Sequence, residues 1–301
     1  MNRTGLIETA NLNQRSVEQI VESQTTLEGG GFTVHRPFPT RTMSHFDPFL
    51  LLDNAGPQYY APGQAKGAPD HPHRGFETLT YLLEGSLDNW DSSGFKGHLG
   101  PGDIEWTTAG KGIIHGGLPD ARIMEHGGTM HVIQLWVNLA SDKKWIPPQS
   151  TDLRADQVPS WTSDDGTINA TLVAGDAWGK SATINTTTPI FYLLYDMKPG
   201  ATIEQQVPSD FNVMAYVLDG DGTFGSESTK ASDQQMVQFA RNGDGIQLTA
   251  GLNGLRLILL GGQVLNEPVA RYGPFVMNTR KEIMEAINDF EAGVFHARSS
   301  N

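Results

Sequence analysis

Between Phe32 and Leu139 the chain consists of short β-prone runs, each closed by glycine or proline, and no stretch repeats its apolar residues with a helical period. Phe32-Thr33-Val34-His35-Arg36-Pro37-Phe38-Pro39 reads as a strand stopped by prolines. Residues 45–54 read as a buried strand ending in a turn, and Thr78-Leu79-Thr80-Tyr81-Leu82-Leu83 as another that stops at Gly85. Further runs follow at 86–90, 97–99, 103–108, 113–115 and 131–139. The 34 glycines and 17 prolines are scattered among these runs, as the turns of an all-β fold require.

After residue 141 the chain turns polar and proline-rich, with Pro147, Pro148 and Pro159, and strands then resume at 168–173, 190–197, 211–218, 235–239, 245–249 and 255–260. The halves echo one another: Tyr81-Leu82-Leu83-Glu84-Gly85 corresponds to Tyr216-Val217-Leu218-Asp219-Gly220. Self-similarity at half the chain length implies a duplicated β domain. The expected organisation is a loose N-terminal segment (1–31), a first domain (32–145) and a second (146–295). The end differs. Thr279 followed by Glu282 fits a capping box, and Ile283, Ile287, Phe290 and Val294 share one side of a helix expected over 279–293.

The net charge of −13, without a long basic run, disfavours direct binding to nucleic acid and suits contact with a basic protein surface. No cysteine is present, which removes disulfides, thiolate ligands and a cysteine nucleophile. No apolar run is long enough to span a membrane, and residues 1–8 lack the apolar centre of a signal peptide, so a cytoplasmic protein is the default. No feature asks for a second copy of the chain, and a monomer is expected.

Eight of the nine histidines lie in the first half, and only His296 in the second. In Asp70-His71-Pro72-His73-Arg74, two imidazoles one residue apart on an extended segment face the same way. About forty residues on, Gly110 and Gly112 allow a tight return that ends at His115. Three neutral ring nitrogens around one ion would leave positions open for water, substrate or dioxygen. His131 precedes a buried strand and is expected to hydrogen-bond in the core; His126 is expected in a solvated loop, and His35, His45 and His98 are structural. Arg74 is expected to form a surface pair.

The order of these motifs resembles the cupins and, more closely, the pirin family of bicupins. The resemblance runs over roughly residues 45 to 295. Phe46-Asp47-Pro48-Phe49-Leu50-Leu51, Asp70-His71-Pro72-His73-Arg74-Gly75-Phe76-Glu77-Thr78, Thr108-Ala109-Gly110-Lys111-Gly112-Ile113-Ile114-His115, Gln134-Leu135-Trp136-Val137-Asn138-Leu139 and Gly273-Pro274-Phe275-Val276-Met277-Asn278-Thr279 carry it. It implies two tandem cupin domains with a C-terminal α-helix. It also implies one divalent ion in the first domain, Fe(II) before Ni, Co, Mn, Cu or Zn, held by His71, His73 and His115.

The family's fourth ligand, a glutamate, does not carry over, because Gly117 stands in its place in His115-Gly116-Gly117-Leu118-Pro119. Water, Glu77 or Glu105 can fill the gap. Glu77 comes first among the carboxylates and doubles as the candidate catalytic base. Glu105 is a second candidate, since Ile104 and Trp106 point the other way and leave it facing the interior. The activity implied is that of a quercetin 2,3-dioxygenase, acting on a small aromatic flavonol or related enol with dioxygen, altered by the loss of the acid. The alternative is a metal-dependent regulatory module with a protein partner. A third outcome is a scaffold that binds little metal.

Overall fold

A computed structural model describes residues 12–295. The N-terminal residues read above for an address signal, and His296, lie outside them. Two β-sandwiches stand side by side. In the first, a seven-stranded sheet runs in the order Gln149–Leu153, Ile104–Thr108, Phe76–Glu84, Gly128–Asn138, Phe49–Tyr60, Phe32–Phe38 and Gln24–Glu28. It faces a four-stranded sheet ordered Ala68–His73, Ile113–Pro119, Leu87–Asp91 and Lys96–Leu99. The second sandwich is one nine-stranded sheet folded on itself. Its longest strand, Gly245–Gln263, pairs with Phe211–Phe224, Ile190–Met197 and Thr202–Gln206.

Strand alternation decides what each wall buries. Leu79, Tyr81, Ile104, Trp106, Ile133, Leu135 and Val137 face the second sandwich and join Tyr192, Leu194, Met214, Tyr216, Ile258 and Leu260 in one core. The interiors differ. The second sandwich fills its own with Leu193, Tyr195, Val213, Ala215, Leu257 and Leu259, among others. In the first, the opposite face of the same strands carries Thr78, Thr80, Glu105, Thr107 and Gln134. A polar interior is costly unless its groups are partnered, so the first sandwich must satisfy these side chains internally where the second need not.

The chain ends cross between the sandwiches. Val17–Glu22 pairs with Gln235–Phe239 of the second, and buried Arg15 donates to the carbonyls of Pro208, Phe211 and Gly243. The N-terminal segment, expected to be loose, is therefore part of a sheet over these residues. In return, the hairpin Ala270–Tyr272 with Phe275–Met277 and the helix Arg280–Glu291 lie on the first sandwich. There the Lys144 ammonium donates to the carbonyls of Gly75 (2.7 Å) and Val276 (3.1 Å) and to Asn138 Oδ1 (2.6 Å). Gln149–Leu153 pairs with Ile104–Thr108, so the first sheet runs past the expected break at 145.

The terminal helix has the expected capping box: Thr279 Oγ1 accepts from Glu282 N, and Glu282 Oε2 accepts from Thr279 N at 2.8 Å. The strand expected over 45–54 lies at Phe49–Tyr60. A six-residue helix, Ala121–His126, was not expected; two turns are too short to show a period, and Asp120 caps it through Ile123 N. His126 ends this helix, exposed. Among the described residues no helix is long and apolar enough to cross a membrane.

Candidate metal centre

His71 and His73 sit at the end of Ala68–His73, which pairs with Ile113–Pro119 so that His71 lies directly opposite His115. The three rings converge, with centroids 4.6 Å (His71–His73), 4.6 Å (His71–His115) and 4.9 Å (His73–His115) apart. One ligating nitrogen from each lies within 4.8 Å of the others, and no carboxylate belongs to the group among the described residues.

The tautomers are set from behind. His71 Nδ1 donates to the Pro69 carbonyl at 2.7 Å and His73 Nδ1 to the Pro274 carbonyl at 3.4 Å. Each Nε2 is then a bare acceptor, as a metal ligand must be. His115 Nε2 is buried and has no hydrogen-bond partner. Burial lowers the pKa of all three rings; His115 falls to about 3, with His71 adding to the effect, and His73 falls well below its usual 6.5. Three neutral imidazoles with an orphaned buried nitrogen fit a divalent cation. Phe76 and Trp136, stacked at 4.4 Å, place their edges or faces about His73 at 5.0 Å each and form the apolar wall.

Glu77 is not brought to this group. It is fully buried on the outward face of its strand, where its carboxylate accepts from Thr108 Oγ1 (2.8 Å), Thr187 Oγ1 (2.8 Å) and Thr187 N (3.2 Å). Burial raises its pKa, and the two threonines oppose the shift. Counting by twos from His73 reaches Glu77, but Gly75 intervenes at φ +92° and resets the alternation. A Cβ at Gly75 would stand 1.9 Å from the Val276 carbonyl oxygen, so only glycine makes this turn.

Glu105 does face the interior, paired across strands with Thr80 and Asp152. It lies outside the triad group, where Asn89 Nδ2 donates to it at 2.8 Å. His131 Nε2 bonds Asn54 Oδ1 at 2.8 Å in the core. Arg74 is not a surface residue. It is 2% exposed, paired with Asp289 at 2.7 Å and held between the rings of Trp145 and Phe295. The sequence signal that Arg74 is buried was missing, because its partners come from the far end of the chain.

The family profile described as Pirin matches residues 31–137, and that described as Pirin C-terminal cupin domain matches residues 192–296. A pirin-like protein of Solanum lycopersicum is 38% identical over 280 residues, covering 93% of this chain and 92% of that one. The chain belongs to the pirin family. The pirin of Homo sapiens is 36% identical over 281 residues, 92% of this pirin chain and 93% of the human one. A solved structure titled quercetin 2,3-dioxygenase, from Acinetobacter baumannii, superposes with a TM-score of 0.88 at 33% identity, covering 94% of this chain and 99% of that one. The two tandem cupin domains and the C-terminal helix expected from the sequence are the architecture of the molecule.

Proposed function

We propose that this pirin holds one divalent ion, Fe(II) first among the candidates, through Nε2 of His71, His73 and His115, and opens flavonol-type enols with dioxygen. The observation that carries the reading is the convergence of three neutral imidazoles beside an aromatic wall. The relative of 33% identity named as a quercetin 2,3-dioxygenase supports the substrate class. Bound there, a divalent ion supplies the Lewis acidity that acidifies an enol hydroxyl and aligns it with dioxygen. The chain itself contributes orientation. Phe76, wholly buried, and Trp136, stacked on it and capped by the Arg271 guanidinium at 4.9 Å, pack about His73 and fix its ring, while the carbonyls of Pro69 and Pro274 hold the tautomers of His71 and His73.

The test joins elemental analysis of the purified protein to oxygen uptake with quercetin, with and without added metal, and with His73→Ala as control. Metal-dependent uptake that the substitution abolishes is the expected result. No uptake by metal-loaded protein would overturn the oxygenase reading. A raised melting temperature on loading, with no turnover, would instead favour the regulatory module, for which the net charge of −13 offers a basic protein surface as partner.

A further inference from the structure

Register places the inward residues of the first sandwich in layers. One layer holds His71, His115 and Asp91, paired directly across three strands. On the facing wall Trp136, Thr78, Thr107 and Ser150 are paired in the same way. Asp91 Oδ2 accepts from Ser150 Oγ at 2.6 Å, so the two rows meet across the interior.

Two residues along every strand comes the next layer. Gly117 stands beside Asn89 on one wall, and Gln134, Thr80, Glu105 and Asp152 line the other. Asn89 Nδ2 spans the gap, donating to Glu105 Oε1 at 2.8 Å and Asp152 Oδ1 at 3.1 Å. Glu105 therefore lies on the facing wall, in the layer next to that of the histidines, the layers being offset by about 7 Å along a strand.

Gly117 adds no side chain to this layer, and a Cβ there would meet only the Asp88 carbonyl oxygen, at 3.9 Å. Within the histidine layer, Thr78 Oγ1 is buried without a hydrogen-bond partner, which points to a water or ligand hydroxyl beside it. Glu105 is 5% exposed, and Thr80 Oγ1 completes its bonds at 3.3 Å. Burial, with the facing charges of Asp152 and Asp91, pushes its carboxyl up to about 7, against the pull of Asn89 and Thr80.

We propose that Glu105 is the proton acceptor of the histidine site, working across the side-chain-free space at Gly117. A hydroxyl of a ligand held at His71, His73 and His115 passes its proton to a Glu105 carboxylate oxygen, through one water where the layers are spanned, and keeps the electron pair on its own oxygen. The role rests on the enol substrate proposed above, and two measurements separate the ideas.

The first counts protons released when 3-hydroxyflavone binds metal-loaded protein at pH 7, by calorimetry in buffers of different ionisation enthalpy. A carboxyl that titrates near that pH absorbs about half a proton, so the wild type is expected to release roughly half as many as Glu105→Gln. Equal release overturns the proposal. No binding to the wild type overturns the substrate reading, and the second measurement then decides. Infrared titration of the buried carboxyl, identified by its loss in Glu105→Gln, is compared with Gly117→Val. Filling the space is expected to dry the carboxyl and raise its midpoint by roughly one unit. An unchanged midpoint means that Glu105 does not open onto Gly117, and sinks the idea.

Discussion

Replacing Glu77 by alanine separates a carboxylate that serves the ion from one that joins the two sandwiches. The structure gives it three hydrogen bonds, two of them from Thr187 of the second sandwich, 110 residues away in sequence. Its pKa is raised by burial, so part of the gain from these bonds is spent on keeping the charge out of water. Bonds to a charged group contribute about 1.5–3 kcal/mol each, and the desolvation cost offsets a fraction of the sum, which leaves a net loss of about 4 kcal/mol for Glu77→Ala. In a chain of this size that is a fall of about 6 °C in melting temperature. Glu77→Gln keeps an oxygen for the two hydroxyls but sets its amide against the Thr187 N–H, for a loss of about 1–2 kcal/mol. Calorimetric melting and metal content, measured on the same samples, give the answer. Metal content per folded chain should be unchanged in both variants. A loss of metal with an unchanged melting temperature would return Glu77 to the ion.

The Glu105 carboxyl titrates at about 7 when folded against an ordinary 4.5, so the folded state binds more protons. Its contribution is full below about pH 4.5 and is lost as pH rises through 7; relative to Glu105→Gln the wild type should lose about 3 kcal/mol between pH 4.5 and 8, read by denaturant melts. Lys144→Met strands three buried oxygens that now accept from the ammonium, and should cost about 3 kcal/mol and loosen the Phe275–Met277 strand, seen as faster amide exchange at Val276. Thr279→Ala removes the cap of the terminal helix at a cost of about 1 kcal/mol, and local exchange over Arg280–Glu291 should rise while the rest of the chain keeps its protection.

The parts of the site legible in the sequence are those that local periodicity fixes. His71 and His73 share a face because nothing interrupts the extended segment between them. Glu105 faces inward because Ile104–Thr108 is one unbroken strand. The same rule fails for Glu77, since the turn at Gly75 comes between it and His73 and changes the face by one residue. The capping box at Thr279 and Glu282 was readable because both halves of the contact lie within one turn.

What the sequence determined alone is the series of strands, the duplication, three histidines able to meet, and the helix at the end. Packing in three dimensions settles which sandwich Val17–Glu22 and Arg280–Glu291 join. It also decides that Arg74 meets Asp289, Lys144 meets Val276, and Glu77 meets Thr187. These contacts span 215, 132 and 110 residues. Each depends on how two finished sheets pack, and a single chain carries no periodic trace of that.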